Sequence, residues 1–364
     1  MDEKGFVTAG VIGAGMMGHR YIGNLVDRFP VIRVKSVCSA RMDSARALAA
    51  EYGLTACSLE EMLGDPEIQL VLVLTPACTH EEIIRKALES GKHVYTEKTM
   101  TIDAASAREL ARLADAKGLY LGSAPDTFLG ASLQVARKAI DEGLIGEVTS
   151  FTAAATRENE ELLSRFDFLR TPGAGICYDY AVYYMTAIVS LLGPVEAAAA
   201  FVSAPYPTHV NHNPKSPLFN QVMDTPNESE VSAILRLRSG VTGTFNMCAD
   251  TVGQDQASFS VYGTKGILRL GDPNQFGCPV RLKQGDREEE LPVSFPHSRE
   301  SRGLGAADLA EALLTGRRPR ADKSMALHVE EVLSAILESG ETGHFVEIAS
   351  RCDRPAPMPE KTGD

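Results

Sequence analysis

The feature that most restricts what this chain can become is Gly13-Ala14-Gly15-Met16-Met17-Gly18, which follows the apolar stretch Phe6 to Ile12 and opens a helical pattern through Tyr21, Leu25 and Val26. A β-type run, a glycine turn and a helical period in direct succession define a strand–turn–helix unit. Each glycine then answers a separate need. Gly13 permits the tight turn, Gly15 lets the backbone approach a pyrophosphate, and Gly18 allows close packing of strand and helix. The helix start at Met16 and Met17 offers free N–H groups and positive dipole to phosphates. The motif in this setting predicts a dinucleotide-binding Rossmann domain that takes a nicotinamide cofactor.

The remainder of the first third agrees. Apolar runs at Ile32 to Cys38, Ile68 to Leu74, His93 to Thr96 and Leu119 to Ser123 alternate with helical patterns at Asp43 to Tyr52, Ser58 to Leu63, Glu81 to Ser90 and Ala104 to Lys117. Runs apolar on both faces suit a parallel sheet covered by helices, and the alternation predicts one doubly wound domain. After Ser123 the texture changes. Beyond a helix from Gly130 to Glu142, β-type stretches at Val148 to Ala155, Val195 to Val202, Glu230 to Leu237, Val241 to Cys248, Ala257 to Tyr262 and Gly266 to Leu270 follow with hairpin-sized gaps. A helix from Gly173 to Leu192 is inserted among them, and helices near Ala306 to Leu314 and Ser324 to Ser339 close the chain.

The fold class is therefore α/β: a Rossmann doubly wound parallel sheet over residues 1–124, then an α+β domain with an open, mainly antiparallel sheet over residues 125–364. A length of 364 residues suits two domains, each with its own core. The segment Ala204 to Asn227 is long for a connection between strands, which makes it either an overhang above a substrate pocket or a solvated loop that carries His209 and His212.

Strand two ends where the choice between NAD and NADP is normally made, because an acid there binds the ribose 2′-hydroxyl and repels a 2′-phosphate. This chain reads Val37-Cys38-Ser39-Ala40-Arg41, with no acid before Asp43. Ser39 can donate to a 2′-phosphate and Arg41 can pair with it, so NADP is the expected cofactor and NAD the alternative.

Composition excludes some partners. A net charge of −12 argues against nucleic acid and anionic membrane surfaces, which demand a basic face. No apolar run approaches a membrane span and no leader pattern opens at Met1, so a cytoplasmic protein is expected. Seven cysteines without any C-x-x-C pair suit a reducing compartment, and no His/Cys/Asp cluster has the spacing of a zinc site, so no metal is expected.

Further landmarks are Leu74-Thr75-Pro76 with Thr79-His80, Gly91-Lys92-His93-Val94-Tyr95-Thr96-Glu97-Lys98, Gly173-Ala174-Gly175 with Asp179 and Tyr183, and Asp272-Pro273-Asn274. Together they resemble the Gfo/Idh/MocA oxidoreductases, whose members oxidise or reduce sugars, inositols and related polyols with NAD(P). The resemblance implies that Thr75, Pro76 and His80 line the cofactor cleft, with Glu97 and Lys98 at the nicotinamide ribose and the reacting carbon. The family's usual Glu-Lys-Pro reads Glu97-Lys98-Thr99 here, and losing the proline leaves the backbone after Lys98 less constrained. Many members carry a His four residues after the Asp. Tyr183 in its place resembles a branch that includes glucose–fructose oxidoreductases and dihydrodiol dehydrogenases. The family's open sheet also implies a homodimer or homotetramer, since an uncovered apolar face needs a partner.

Asp179 and Tyr183, four apart on a helix, share a face, with Tyr180 and Tyr184 pointing elsewhere. An unperturbed tyrosine, at a pKa of about 10, is a poor base near neutrality, and a neighbouring ammonium lowers it. The expected arrangement is Tyr183 as proton donor and acceptor, Lys98 as its electrostatic partner, and Asp179 orienting the substrate hydroxyl or Lys98. Asp126 and Arg157 are the further polar groups expected near a sugar, polyol or glycoside substrate. Two alternatives use the same fold: redox-assisted glycoside elimination with a tightly held cofactor, and a regulator that senses cofactor or sugar without turnover.

Overall fold

The computed structural model describes residues 5–253 and 257–361, so the start at Met1 on which the leader argument rests lies outside the described residues. The chain forms two compact units, Met1–Asp126 with Ser301–Leu327, and Thr127–Glu300 with His328–Asp364.

In the first unit, strands β1 (Val7–Ile12), β2 (Ile32–Cys38), β3 (Thr55–Ala56), β4 (Leu70–Val73), β5 (His93–Thr96) and β6 (Leu121–Ser123) form one sheet in the order β3-β2-β1-β4-β5-β6. Every pairing is parallel. Helices α1 (Met16–Arg28), α2 (Met42–Tyr52), α3 (Leu59–Gly64), α4 (His80–Glu89) and α5 (Ala104–Lys117) make the connections. All four residues of β4 are buried, as a strand covered on both faces requires. The strand order reverses between β1 and β4, and in open α/β sheets the carboxyl ends at such a reversal form the ligand crevice. Strand β3, only two residues long, has no apolar run of its own, which is why no stretch of sequence marks it.

A single boundary after residue 124 overlooks Ser301–Leu327, which belongs to the first unit. This segment carries helix α9 (Leu304–Thr315), packed on β1, β5 and β6. It approaches β6 through Gly122, where a Cβ would stand 2.7 Å from the Ala321 carbonyl oxygen. Asp126 fixes its entry: the Oδ2 atom accepts hydrogen bonds from the Gly303 and Gly305 N–H groups at 2.9 and 3.0 Å, capping the start of α9. With 1% of its surface exposed, Asp126 is a buried cap and not the substrate contact expected from sequence.

The second unit is built on a nine-stranded sheet and also carries helices α6 (Ala131–Asp141) and α7 (Asn159–Arg165). Strands β7 (Val148–Thr156), β8 (Val195–Ser203), β11 (Glu230–Leu237), β12 (Thr242–Cys248), β13 (Ala257–Gly263), β14 (Ile267–Leu270), β15 (Arg281–Gln284), β16 (Arg287–Glu290) and β17 (Val346–Glu347) take the order β16-β15-β14-β13-β7-β12-β11-β8-β17. The β7–β12 pair is parallel and the rest antiparallel. Val231, Ala233, Leu235, Phe245, Met247, Phe259 and Val261 point to the covered face by strict alternation. The opposite face differs from expectation: it carries Ser150, Thr152, Ser232, Thr242, Thr244 and Asn246, and its large exposed apolar groups are Phe201 and Ile234. A short ribbon of β9 (Thr208–Val210) and β10 (Val222–Asp224) lies within the long 204–227 segment. His209 on this ribbon is nearly buried, with Nε2 3.6 Å from Asp250 Oδ1, so of the two histidines there only His212 is solvated. Among the described residues no helix is long and apolar enough to cross a membrane.

Burial raises the Asp126 carboxyl to about 6, with the two amide hydrogen bonds and Arg302 opposing the rise. A raised acid binds its proton more readily in the folded chain, so its contribution falls as pH climbs from the ordinary carboxylate value to about 6. Asp126→Asn keeps an oxygen for the two N–H groups without the charge. In denaturant unfolding, the variant gains on the parent chain as pH rises from 4 to 7, by up to roughly 3 kcal/mol. A stability difference independent of pH over that range rules out this role for Asp126.

Candidate functional site

The groups singled out by sequence fall in both units. In the first, the end of β1 is built by close backbone approach. Gly13, at φ +117°, donates its N–H to the Cys38 carbonyl at 2.9 Å, and a Cβ on it would stand 2.5 Å from Leu74 O. At Gly18 a Cβ would lie 2.3 Å from Gly13 O, so α1 can begin here only with glycine at that position. Gly15 is different: a Cβ there meets nothing within 4 Å.

Gly15 is also the N-cap of α1, which has neither a capping side chain nor an acid in its first turn. Gly15 and Met16 are exposed, and the first turn of α1 carries no carboxylate to compete for the N–H groups of Met16 and Met17. Those are the conditions a pyrophosphate needs, and the residues fit a dinucleotide. At the end of β2, Ser39 is partly exposed and Arg41, the N-cap of α2, is exposed, with no acid between them.

Thr75 and Pro76 follow β4 at the surface, and the Thr79 hydroxyl bonds Thr75 Oγ1 and Pro76 O at 2.8 Å each. His80 differs from expectation. It is fully buried beneath this loop, its Nε2 2.8 Å from Thr75 O and its Nδ1 2.6 Å from Thr99 O. Lys98 follows β5 and is partly exposed, joined to Thr99 by a cis peptide bond. Beside it Glu97 is 7% exposed and accepts a 2.6 Å hydrogen bond from the Tyr21 hydroxyl of α1. Tyr21 carries no sequence signal beyond its place on the apolar face of a helix, so nothing in the sequence points to its link with Glu97. The segment after Lys98 is also tighter than the missing proline suggests, because Thr99 is buried and its hydroxyl donates to Thr101 O at 2.6 Å.

In the second unit the expected continuous helix from Gly173 to Leu192 is replaced by a π-helical turn, Cys177–Ala181, running into α8 (Val182–Leu192). A π turn inserts a residue relative to α spacing, and such turns are frequent at functional sites. Asp179 lies inside it and Tyr183 just beyond. Tyr180 does not point away as expected: its ring centroid is 6.1 Å from that of Tyr183 and 5.9 Å from that of Tyr184. The turn starts on Glu228, whose Oε1 accepts from Cys177 N at 2.9 Å. Gly175 makes room for it, since a Cβ there would lie 2.2 Å from the Glu228 carboxylate. Burial raises the pKa of Glu228.

Arg157, expected near a substrate, holds Asp179. Its Nη1 donates to Asp179 Oδ2 at 2.7 Å while the guanidinium lies 4.4 Å from the centroid of the Tyr180 ring. The Tyr180 hydroxyl in turn donates to Asp272 Oδ2 at 2.9 Å, which gives the Asp272-Pro273-Asn274 motif a structural role. Asp179 is 10% exposed and Tyr183 8%, so the carboxylate and the phenol are both nearly buried, with the Tyr180 ring next to Arg157 and to Tyr183.

Known proteins share this architecture. The family model described as oxidoreductase family, NAD-binding Rossmann fold, matches residues 7–124, and that of the GFO/IDH/MocA C-terminal domain matches residues 133–269. The chain belongs to the Gfo/Idh/MocA oxidoreductase family. A scyllo-inositol 2-dehydrogenase (NADP(+)) of Bacillus subtilis (strain 168) is 27% identical over 198 residues, 54% of this chain and 55% of that protein, so the chain spans about half the length of that relative. The trans-1,2-dihydrobenzene-1,2-diol dehydrogenase of Sus scrofa is 25% identical over 343 residues, 90% of this chain and 94% of that enzyme. A levoglucosan dehydrogenase solved with NADH and levoglucosan superposes with a TM-score of 0.80 at 21% identity, covering 94% of this chain and 100% of that one, a likeness of fold.

The glycines separate folding from binding. Gly18→Ala forces a Cβ into backbone and lowers stability by about 1–3 kcal/mol, read as a fall in Tm. Gly15→Ala leaves Tm nearly unchanged and weakens dinucleotide binding, read by titration, by roughly tenfold or more because the backbone no longer meets the pyrophosphate closely. Equal losses of Tm in the two variants contradict this assignment.

Proposed function

We propose that the protein is an NAD(P)-dependent oxidoreductase acting on a CH–OH group of a sugar, polyol or glycoside. The observation that carries the reading is the Arg157–Asp179 pair, its guanidinium stacked on Tyr180, whose ring neighbours that of Tyr183, in a chain whose other unit has an open, uncapped helix start over a Rossmann switch point. Family membership supports the reading, as do relatives whose names specify inositol and diol substrates. NADP is the expected cofactor, supported by Ser39 and Arg41 at the end of β2, with NAD as the alternative.

When bound, the nicotinamide supplies the acceptor or donor for the hydrogen on the reacting carbon. The chain's own groups handle the remaining proton. In the oxidation direction, the phenolate of Tyr183 takes the hydroxyl proton as the carbinol becomes a carbonyl, and in reduction the phenol returns it. The Lys98 ammonium stabilises the phenolate and polarises the substrate oxygen. Asp179, held by Arg157, orients the substrate hydroxyl or Lys98. Glu97, fixed by Tyr21, holds the corner from which Lys98 extends. A second copy of the chain is expected on the outward face of the nine-stranded sheet, around Phe201 and Ile234, in a homodimer or homotetramer.

A screen of NAD and NADP against aldoses, inositols, uronates and glycosides, followed by nicotinamide absorbance, tests the activity. Removal of the general acid–base group in Tyr183→Phe is expected to cut kcat by about 10²–10⁴-fold, and Lys98→Ala to do likewise, with cofactor bound in both. Near-normal turnover in the two variants ends the assignment.

Arg157 has its own signature. Its planar group both stacks and pairs, and an ammonium cannot replace it in that double role. Arg157→Lys and Arg157→Ala are each expected to lower kcat/KM by about 10–100-fold through misplacement of Asp179. Full rescue by lysine means that only the charge matters at this position.

A further inference from the structure

His80 is the buried titratable group that the proposed mechanism leaves unused, and its surroundings are unusual. The ring opens helix α4 and has no exposed surface, so it cannot itself touch a ligand in this structure. Both ring nitrogens face backbone carbonyls: Nδ1 lies 2.6 Å from Thr99 O and Nε2 2.8 Å from Thr75 O. The Thr96 hydroxyl stands 3.3 Å from Nδ1. Carbonyl oxygens only accept, so each contact calls for a ring N–H.

The two carbonyls belong to the loops that follow neighbouring strands. Thr75 stands just past β4, on the side of the sheet where the strand order reverses, and Thr99 immediately follows Lys98 past β5. Burial, the largest influence, holds the pKa of the ring below the ordinary histidine value and Lys98 adds to this, whereas the Thr99 and Thr75 carbonyls and Glu97 favour the doubly protonated ring that two donating contacts require.

We infer that His80 is a positioning residue, a two-armed clamp whose Nε2 arm sets the Thr75 loop against the dinucleotide and whose Nδ1 arm sets the Lys98–Thr99 backbone. This clamp supplies the constraint that a proline after Lys98 would otherwise provide. The Lys98 arm rests on the oxidoreductase reading for its kinetic readout. The Thr75 arm does not, because it is read in cofactor binding alone.

Side-chain amides separate the arms. In His80→Asn the amide nitrogen stands in for Nδ1, and in His80→Gln for Nε2. Titration with NADPH and NADH, steady-state kinetics and Tm are measured on the full chain for both variants and for His80→Ala. His80→Asn keeps the Thr99 arm, so cofactor Kd rises about tenfold with kcat nearly retained. His80→Gln keeps the Thr75 arm, so cofactor Kd stays near the parent value while kcat falls about tenfold. His80→Ala loses both.

Lower Tm in all three with unchanged Kd and kcat in the folded fraction overturns the inference, as does an identical pattern for Asn and Gln. Should no substrate in the panel turn over, the Kd contrast between Asn and Gln still decides the Thr75 arm, and failure of the activity reading is seen separately. Should a variant fail to fold, NMR of the parent chain with 15N-labelled histidine decides: hydrogen-bonded N–H groups protected from exchange at both ring nitrogens uphold the clamp, and a ring with one such group or none contradicts it.

Discussion

The structure of the first unit depends on a shortage of room at the end of β1. With the Cβ positions of Gly13 and Gly18 lying 2.5 and 2.3 Å from backbone oxygens, strand, turn and helix approach more closely than any side chain permits. That approach brings the start of α1 over the point where strand order reverses. It leaves the start of the helix with no capping side chain and no acid in its first turn to meet the dipole and the first N–H groups. An anionic ligand is the chemical complement of such an end, and Gly15, with open space in front of it, is where the backbone can meet one. The same helix reaches back through Tyr21 to Glu97, so one element shapes both the phosphate end and the Lys98 corner.

The second unit solves a different problem: how to hold a carboxylate and a phenol in a nearly buried place. Burying a charge is costly unless it is paired, and Asp179 is paired by a guanidinium that is itself stacked on Tyr180. Glu228 starts the π turn by capping Cys177, and Gly175 exists as glycine because that carboxylate occupies the space a side chain would fill. The motif glycine and the distant glutamate are thus two halves of one device, which aims Asp179 out of the regular helical path.

Much of this is legible in the sequence. Periodicity and the glycine turn mark the parallel sheet and its dinucleotide motif, because local backbone needs leave local signals. What escapes depends on long-range packing. The two-residue strand Thr55–Ala56 is a strand only because β2 lies beside it. The return of Ser301–Leu327 to the first unit is set by Asp126 and Gly122, neither of which announces a partner so distant in the chain. Arg157 and Asp126 are expected near the substrate and His80, by resemblance, in the cofactor cleft; specific partners make them an anchor for Asp179, a helix cap and a backbone clamp. The expected apolar outer sheet face is largely hydroxyl and amide, since alternation alone does not say how polar the second face is.

The most direct test is a structure of the protein with NADPH or NADH bound. The expected result has the pyrophosphate on the N–H groups of Met16 and Met17 in front of Gly15, with the nicotinamide beside Glu97 and Lys98. A dinucleotide bound elsewhere, or no binding at saturating concentration of either cofactor, contradicts the assignment of this end of the sheet as the cofactor site.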